Sequence, residues 1–236
     1  MADIKTGILY IVATPIGNSA DITLRALEIL KTVDLICAED TRVISKLLAI
    51  HGIEGKKLIP LNEFANSAKV DSVITDLEEG KNVAFVSDAG TPGISDPAGL
   101  LVSRARQADV DISIVPIPGA SAITTLMSVS GLRETPFLFY GFLPHKKGRQ
   151  KILDELLDYP YTIVLYESPH RYVKLLEELK SRESETSTLS LVVGRELTKM
   201  YEDIRVGSPS DMLDYVTSHP ETVRGEFVLI IQKLRI

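Results

Sequence analysis

Short apolar runs recur through the first half of the chain, at Ile8–Val12, Leu35–Ala38, Leu58–Leu61, Val83–Val86 and Ile112–Val115. Continuous runs of this length suit strands buried on both faces of a parallel sheet. Between them the apolar positions change to helical spacing. Asp21 is placed to cap a helix carrying Ile22, Leu24, Leu27 and Leu30, and Thr41 to cap one carrying Val43, Leu47 and Leu48. A third helix is expected over Ser67–Glu79, with Val70, Val73, Ile74 and Leu77 inward and Gly80 ending it. Strand and helix alternating in this way predict an α/β unit with right-handed crossovers.

The rhythm breaks at Pro116-Ile117-Pro118-Gly119, after which Ser121 can begin a helix running to about Ser130. A boundary here predicts two α/β domains, 1–118 and 119–236. Further strands are expected at Phe137–Phe142, Thr162–Tyr166, Leu189–Val193, Asp203–Val206 and Glu226–Gln232. Two of these are joined by too few residues for a crossover helix, so the second sheet should mix parallel and antiparallel pairs. Ser181–Ser190, rich in Ser, Glu and Thr, reads as a flexible surface connection.

Composition narrows the picture. Of 236 residues 44% are hydrophobic, enough for sizeable cores, and the apolar runs are too short and too interrupted by charge to span a bilayer. The first residues show no basic region leading to an apolar stretch and cleavage site, so a cytoplasmic protein is expected. The single cysteine, Cys37, has no disulfide partner in the chain and should be buried in its strand. The four histidines, 51, 145, 170 and 219, lack metal-ligand spacing, and no metal is expected. A net charge of −6 argues against indiscriminate binding of nucleic acid but leaves room for a local basic surface.

Candidate chemistry centres on Ser87-Asp88-Ala89-Gly90-Thr91-Pro92-Gly93-Ile94-Ser95-Asp96-Pro97. A stretch this rich in Gly and Pro, set between a strand end and a helix start, is how α/β proteins hold small ligands at the carboxyl edge of a sheet. The first loop, Thr14-Pro15-Ile16-Gly17-Asn18, occupies the corresponding place after the first strand. It lacks G-x-G-x-x-G, and no G-x-x-x-x-G-K-[ST] occurs anywhere, which argues against an ATPase or GTPase. Glu39, 22 positions beyond Gly17, leaves a ribose-binding acid of a dinucleotide fold open.

These two loops, with Ala38-Glu39-Asp40-Thr41-Arg42, Pro118-Gly119-Ala120-Ser121, Tyr166-Glu167-Ser168-Pro169-His170-Arg171 and Arg195-Glu196-Leu197-Thr198-Lys199, resemble the ribosomal RNA small subunit methyltransferase I family. That family lies in the tetrapyrrole-methylase-like superfamily of S-adenosylmethionine enzymes. The resemblance covers nearly the whole chain in the expected order. Thr91 stands where tetrapyrrole methylases commonly have an acid, which favours the RNA-modifying branch. Ala13 and Ala120-Ser121 are smaller departures, compatible with a site made of backbone.

The resemblance implies a homodimer of two-domain chains with the cofactor folded into the cleft between domains. It also implies 2′-O-methylation of a decoding-region cytidine in 16S ribosomal RNA. Backbone at Ala89, Gly90 and Ile94, with Thr91, would contact S-adenosylmethionine, and Pro15 and Gly17 would border the same cleft. Ser121 and Ala122 open a helix whose amide groups suit a carboxylate. Tyr166, Val193 and the turn containing Gly225, Glu226 and Phe227 would wall the adenine.

A ribose hydroxyl is a weak acid, so a base or a nearby cation would aid its methylation. Asp40, Glu167, His170 and Lys199 are the candidates, though Asp40 also suits a helix cap. The segment His145-Lys146-Lys147-Gly148-Arg149-Gln150-Lys151 is the densest basic patch in the chain, read either as an RNA contact or as a solvated helix start. Arg42, Arg171 and Arg195 join His145, Lys146, Lys147 and Arg149 as candidate substrate contacts. Two further readings remain open: methylation of a tetrapyrrole or other small molecule, and a cofactor-binding interaction module without catalysis.

Overall fold

The computed structural model describes residues 6–62, 67–132, 136–184 and 187–235. The chain divides into two compact units, 1–121 and 122–236.

In the first unit β1 (Ile8–Val12), β2 (Leu35–Ala38), β3 (Lys57–Pro60), β4 (Val83–Val86) and β5 (Ser113–Ile117) form an all-parallel sheet of order β3-β2-β4-β1-β5. The crossovers carry α1 (Leu24–Thr32), α2 (Thr41–Ile50), α3 (Ser67–Glu78) and α4 (Ala98–Arg106). Alternation along each strand sorts the core into two layers. Ile36, Ala38, Ala84 and Val86 pack under α1 and α2, while Leu9, Cys37 and Phe85 pack under α3 and α4. Both faces are thereby covered, which explains why these strands read as continuous apolar runs.

Three details differ from the sequence reading. Thr23, not Asp21, caps α1, its hydroxyl accepting from Ala26 N at 3.1 Å; Asp21 belongs to a 3₁₀ turn just before. Of the two caps the sequence offers for α2, Asp40 and not Thr41 takes the place, accepting from Arg42 N at 2.8 Å. β5 extends through Pro116, a residue its ladder tolerates because β5 is an edge strand paired only with β1.

The second unit begins with α5 (Ala122–Val129) and holds β6 (Phe137–Phe142), β7 (Thr162–Glu167), β8 (Ser187–Arg195), β9 (Asp203–Gly207) and β10 (Phe227–Arg235). The sheet order is β6-β7-β10-β8-β9, with β6 and β7 parallel and every other pair antiparallel. Helices α6 (Arg149–Asp158), α7 (Pro169–Lys180) and α8 (Pro209–Ser218) cover one face, burying Leu153, Leu175 and Met212 against Leu165, Leu191 and Leu229. On the other face α5 approaches closely at Gly194, where a Cβ would stand 2.9 Å from Leu126 Cδ1. The stretch read as a flexible connection is strand from Ser187 onward, paired with β10; residues 185–186 lie outside the described residues. No helix among the described residues is long and apolar enough to cross a membrane.

The α2 cap provides a test. Hydrogen bonds from the Arg42 side chain and backbone hold the Asp40 carboxyl at about 2, below its ordinary value of 3.8. A depressed folded-state pKa contributes stability above the ordinary value and loses it as pH falls through the folded one. Asp40→Asn should therefore melt below the wild type at pH 6. The gap in Tm, followed by circular dichroism, should close between about pH 4 and pH 2.

Candidate functional site

In the first unit β1 and β4 are neighbours, yet the helices that follow them pack on opposite faces of the sheet, α1 on one and α4 on the other. Their carboxyl ends thus flank a topological switch point, the place where open α/β sheets commonly bind ligands. The two loops singled out by sequence meet here. Thr14 N donates to Gly90 O at 3.0 Å and Gly90 N to Thr14 O at 3.1 Å. The Thr14 hydroxyl donates to Ser87 O at 3.1 Å, and the Ser87 hydroxyl to Gly90 O at 3.0 Å. Thr91 ties in the loop after β5 by donating to Ala120 O at 3.0 Å. Asp96 closes the far turn, accepting from Gly93 N at 2.8 Å and Ala98 N at 2.9 Å.

Gly90 is buried with φ +83°, and a Cβ there would come within 3.2 Å of Ile16 Cγ2. Gly17, Ala89 and Ile94 are exposed along this edge, and Pro15 and Thr91 are half-buried. α5 begins at Ala122, directly after Ser121, as the sequence suggests. Asp40 lies at the same carboxyl edge, where its backbone N–H donates to Asp88 Oδ1 at 3.0 Å. Its carboxylate is taken up by Arg42, with Nε 2.9 Å from Oδ1. Asp40 and Arg42 therefore neutralise each other, and a carboxyl held at about 2 is a weak base.

The second unit separates residues that the sequence grouped as one wall. Tyr166 is in register with Val228, and Val228 with Gly194, on the sheet face that α5 approaches. Val193 and Phe227 project to the opposite face, into the core beneath α7 and α8, where Phe227 stacks on Tyr172 at 4.1 Å. The pleat enforces this split, because successive residues of a strand point to opposite faces. Gly194, not Val193, shares the face of Tyr166. Burial and the Glu226 charge push the Tyr166 phenol up to about 12, so it stays neutral and donates a proton only to a hydrogen bond. Phe139 and Phe142 pack on its ring at 5.0 and 5.6 Å.

At the end of β8 the backbone is strained. Glu196 and Thr198 have φ of 50° and 65°, a left-handed region costly for residues with a Cβ and for Thr above all. Tight hydrogen bonding over-determines this turn. Glu196 Oε1 accepts from Glu226 N and from Lys199 Nζ, both at 2.9 Å, and Lys199 Nζ also donates to Glu226 Oε2 at 3.0 Å. Gly225, φ +87°, leaves room for the Glu196 side chain, which a Cβ would meet at 2.4 Å. Burial opposes the charge on Lys199, but the carboxylates of Glu196 and Glu226 outweigh it and raise its pKa. Lys199 is thus a fixed cation and not a base. Arg195 points beneath α7 and α8; its Nε is buried beside Asp203 and Arg205 and makes no hydrogen bond among the described residues.

The basic segment is split as well. His145, Lys146 and Lys147 are exposed on the turn before α6, and Lys151 is exposed within it. Arg149, expected on the same surface, is buried and paired with Glu167 and Glu178. Its position at the inward face of the first turn of α6 accounts for the difference. Glu167 is likewise buried and fully engaged, with Arg171 as its second cation, so it is not open to a substrate proton. His170 stands exposed on the first turn of α7. Sequence reasoning missed Glu178, whose partner is 29 residues away and carries no local signal. Among the described residues no cluster of His, Cys, Asp or Glu is arranged for a metal ion.

The tetrapyrrole (corrin/porphyrin) methylase model matches residues 8–212. Ribosomal RNA small subunit methyltransferase I of Borrelia garinii subsp. bavariensis is 45% identical over 226 residues, 95% of this chain and 98% of that protein. The Escherichia coli O157:H7 protein of the same name is 44% identical over 98% of this chain and 79% of its own length. Among solved structures, diphthine synthase superposes with a TM-score of 0.72 at 14% identity, covering 98% of this chain and 92% of that one, a likeness of fold. The paired loops at the β1–β4 switch point, the parallel and mixed sheets and these similarities together show that the chain belongs to the tetrapyrrole methylase family, within its ribosomal RNA small subunit methyltransferase I group.

Proposed function

We propose that this chain is an S-adenosylmethionine-dependent methyltransferase that modifies the 2′-oxygen of a cytidine ribose in the decoding region of 16S ribosomal RNA. It would work in the cytoplasm as a homodimer. The carboxyl-edge surface tied together by the reciprocal Thr14–Gly90 hydrogen bonds carries this reading. Its lining of backbone groups and small side chains at Pro15, Gly17, Ala89, Thr91 and Ile94 fits a cofactor with a flat base, a ribose and an amino-acid tail. Ser121 and Ala122, opening α5, suit the tail's carboxylate. In the second unit the proposed contacts reduce to Tyr166, Gly225 and Glu226, since Val193 and Phe227 serve the core.

The bound cofactor would supply an electrophilic methyl group on a sulfonium. The protein's share of the reaction is then chiefly to hold the ribose hydroxyl in line, a contribution of about 7 to 11 kcal/mol for well-oriented reactants. With Asp40, Glu167 and Lys199 occupied by partners, His170 is the proposed proton acceptor. Lys146 and Lys147, exposed and unpaired among the described residues, suit RNA phosphates.

The deciding experiment incubates purified protein with methyl-labelled S-adenosylmethionine and small subunits from a strain lacking its gene, followed by mass spectrometry of the RNA. Label on a single cytidine 2′-oxygen is expected; cofactor binding with unlabelled RNA would overturn the assignment in favour of a small-molecule substrate or a non-catalytic role. Lys146→Glu with Lys147→Glu should cut RNA methylation by about tenfold or more at physiological salt and leave cofactor affinity unchanged by calorimetry. Gly90→Val, which forces a branched side chain into a left-handed position against Ile16, should abolish cofactor binding in the same titration.

A further inference from the structure

Glu167 ends β7 with its side chain wholly shielded from solvent. On one side of it Arg149, the first residue of α6, sets Nη1 and Nη2 each 3.3 Å from Glu167 Oε2 and donates through Nε to Glu178 Oε2 at 2.9 Å. On the other side Glu167 Oε1 accepts from Ser168 N at 2.8 Å and lies 2.7 Å from Arg171 Nη2. Arg171 in turn donates through Nη1 to the Leu143 carbonyl at 2.8 Å. One carboxylate therefore fastens both ends of a single segment, Leu143 through Arg171 and Arg149 directly. Between these anchors the chain passes through Pro144, His145, Lys146, Lys147 and Gly148, the last with φ +83°.

Two arginines and two glutamates balance in charge. Such a buried cluster stabilises a fold little more than apolar residues of the same volume would, because desolvation offsets most of the attraction. What it supplies is geometry: each guanidinium is held by two different acceptors, Arg149 by Glu167 and Glu178 and Arg171 by Glu167 and the Leu143 carbonyl, which fixes direction as well as distance. The geometry here falls on the one strongly basic turn of an acidic chain.

We infer that Glu167 is a positioning residue whose carboxylate holds the 143–149 turn in one conformation, so that Lys146 and Lys147 meet an RNA backbone as a pre-formed cationic edge. The inference rests on the RNA reading above and extends it to how the contact surface is made rigid. A turn ordered in advance spares the cost of ordering that loop on binding. Glu167 thereby acts on RNA affinity and not on the reacting oxygen.

The test uses the full chain carrying Glu167→Gln or Arg171→Gln. Arg171 lies at the edge of the cluster, so its variant releases Leu143 while the Arg149 pairs persist, and it serves if the buried change unfolds the unit. Amide hydrogen exchange should accelerate at Arg149, whose N–H donates to Lys146 O across the turn at 3.4 Å, and stay unchanged in β7 and β10. KM for small subunits should rise about tenfold, the cost of ordering the turn on binding, while kcat at saturating subunit changes far less. A loss of kcat at unchanged KM would overturn the inference and return Glu167 to the chemistry. Unchanged exchange in both variants would overturn the clamp itself. If the wild type methylates no RNA, the RNA reading falls, and the exchange data still decide whether the carboxylate holds the turn.

Discussion

The covering of the first sheet on both faces is the constraint on which its chemistry depends. With helices packed above and below, backbone groups of β1, β2 and β4 are spent on the ladder and their side chains on two apolar layers. The polar groups of the candidate site lie in the loops at the carboxyl edge. Because α1 and α4 leave in opposite directions, the loops after β1 and β4 diverge and must be tied together to form a surface. The Thr14–Gly90 bridge does this with main-chain groups, and the Thr14 hydroxyl adds a side-chain tie to Ser87 O across the same two loops.

The second sheet solves a different problem. Its mixed pairing brings β7, β10 and β8 side by side, and the pleat then assigns alternate residues to opposite duties. Leu165, Leu229 and Val193 fill the core under the helices, while Tyr166, Val228 and Gly194 face the side that α5 approaches. At both strand ends charge is handled by mutual saturation: Glu196, Lys199 and Glu226 around a left-handed backbone, and Glu167, Glu178 and two arginines within the core.

Sequence periodicity located these strands because each is short, apolar and bounded by turns, and the Gly-Pro loops stood out because few other roles need such backbone. The parallel and mixed character of the two sheets followed from connection lengths. The caps fall at Thr23 in place of Asp21, and at Asp40 rather than Thr41, because several hydrogen-bonding side chains lie close together at each helix start and local spacing does not choose among them. The strand at Ser187–Ser190 was hidden by polar composition, since its pairing with β10 is a long-range property. Arg149 shows the same limit more sharply. A run of cations reads as a surface, and the acids that draw one of them inside lie 18 and 29 residues away. Val193 and Phe227 face away from Tyr166 because facing is set by register, which a single sequence does not display.

Cys37 has a practical consequence. It is fully buried in β2, and burial, with the Asp76 charge, pushes its thiol up to about 12, so it holds its proton and meets no solvent. Thiolate is the species that alkylating probes capture. The native chain is thus already silent toward such reagents, and a cysteine installed on an exposed turn would take a fluorophore or spin label alone, without first replacing the natural residue. The same silence doubles as a gauge of integrity, because labelling at Cys37 requires the first sheet to open.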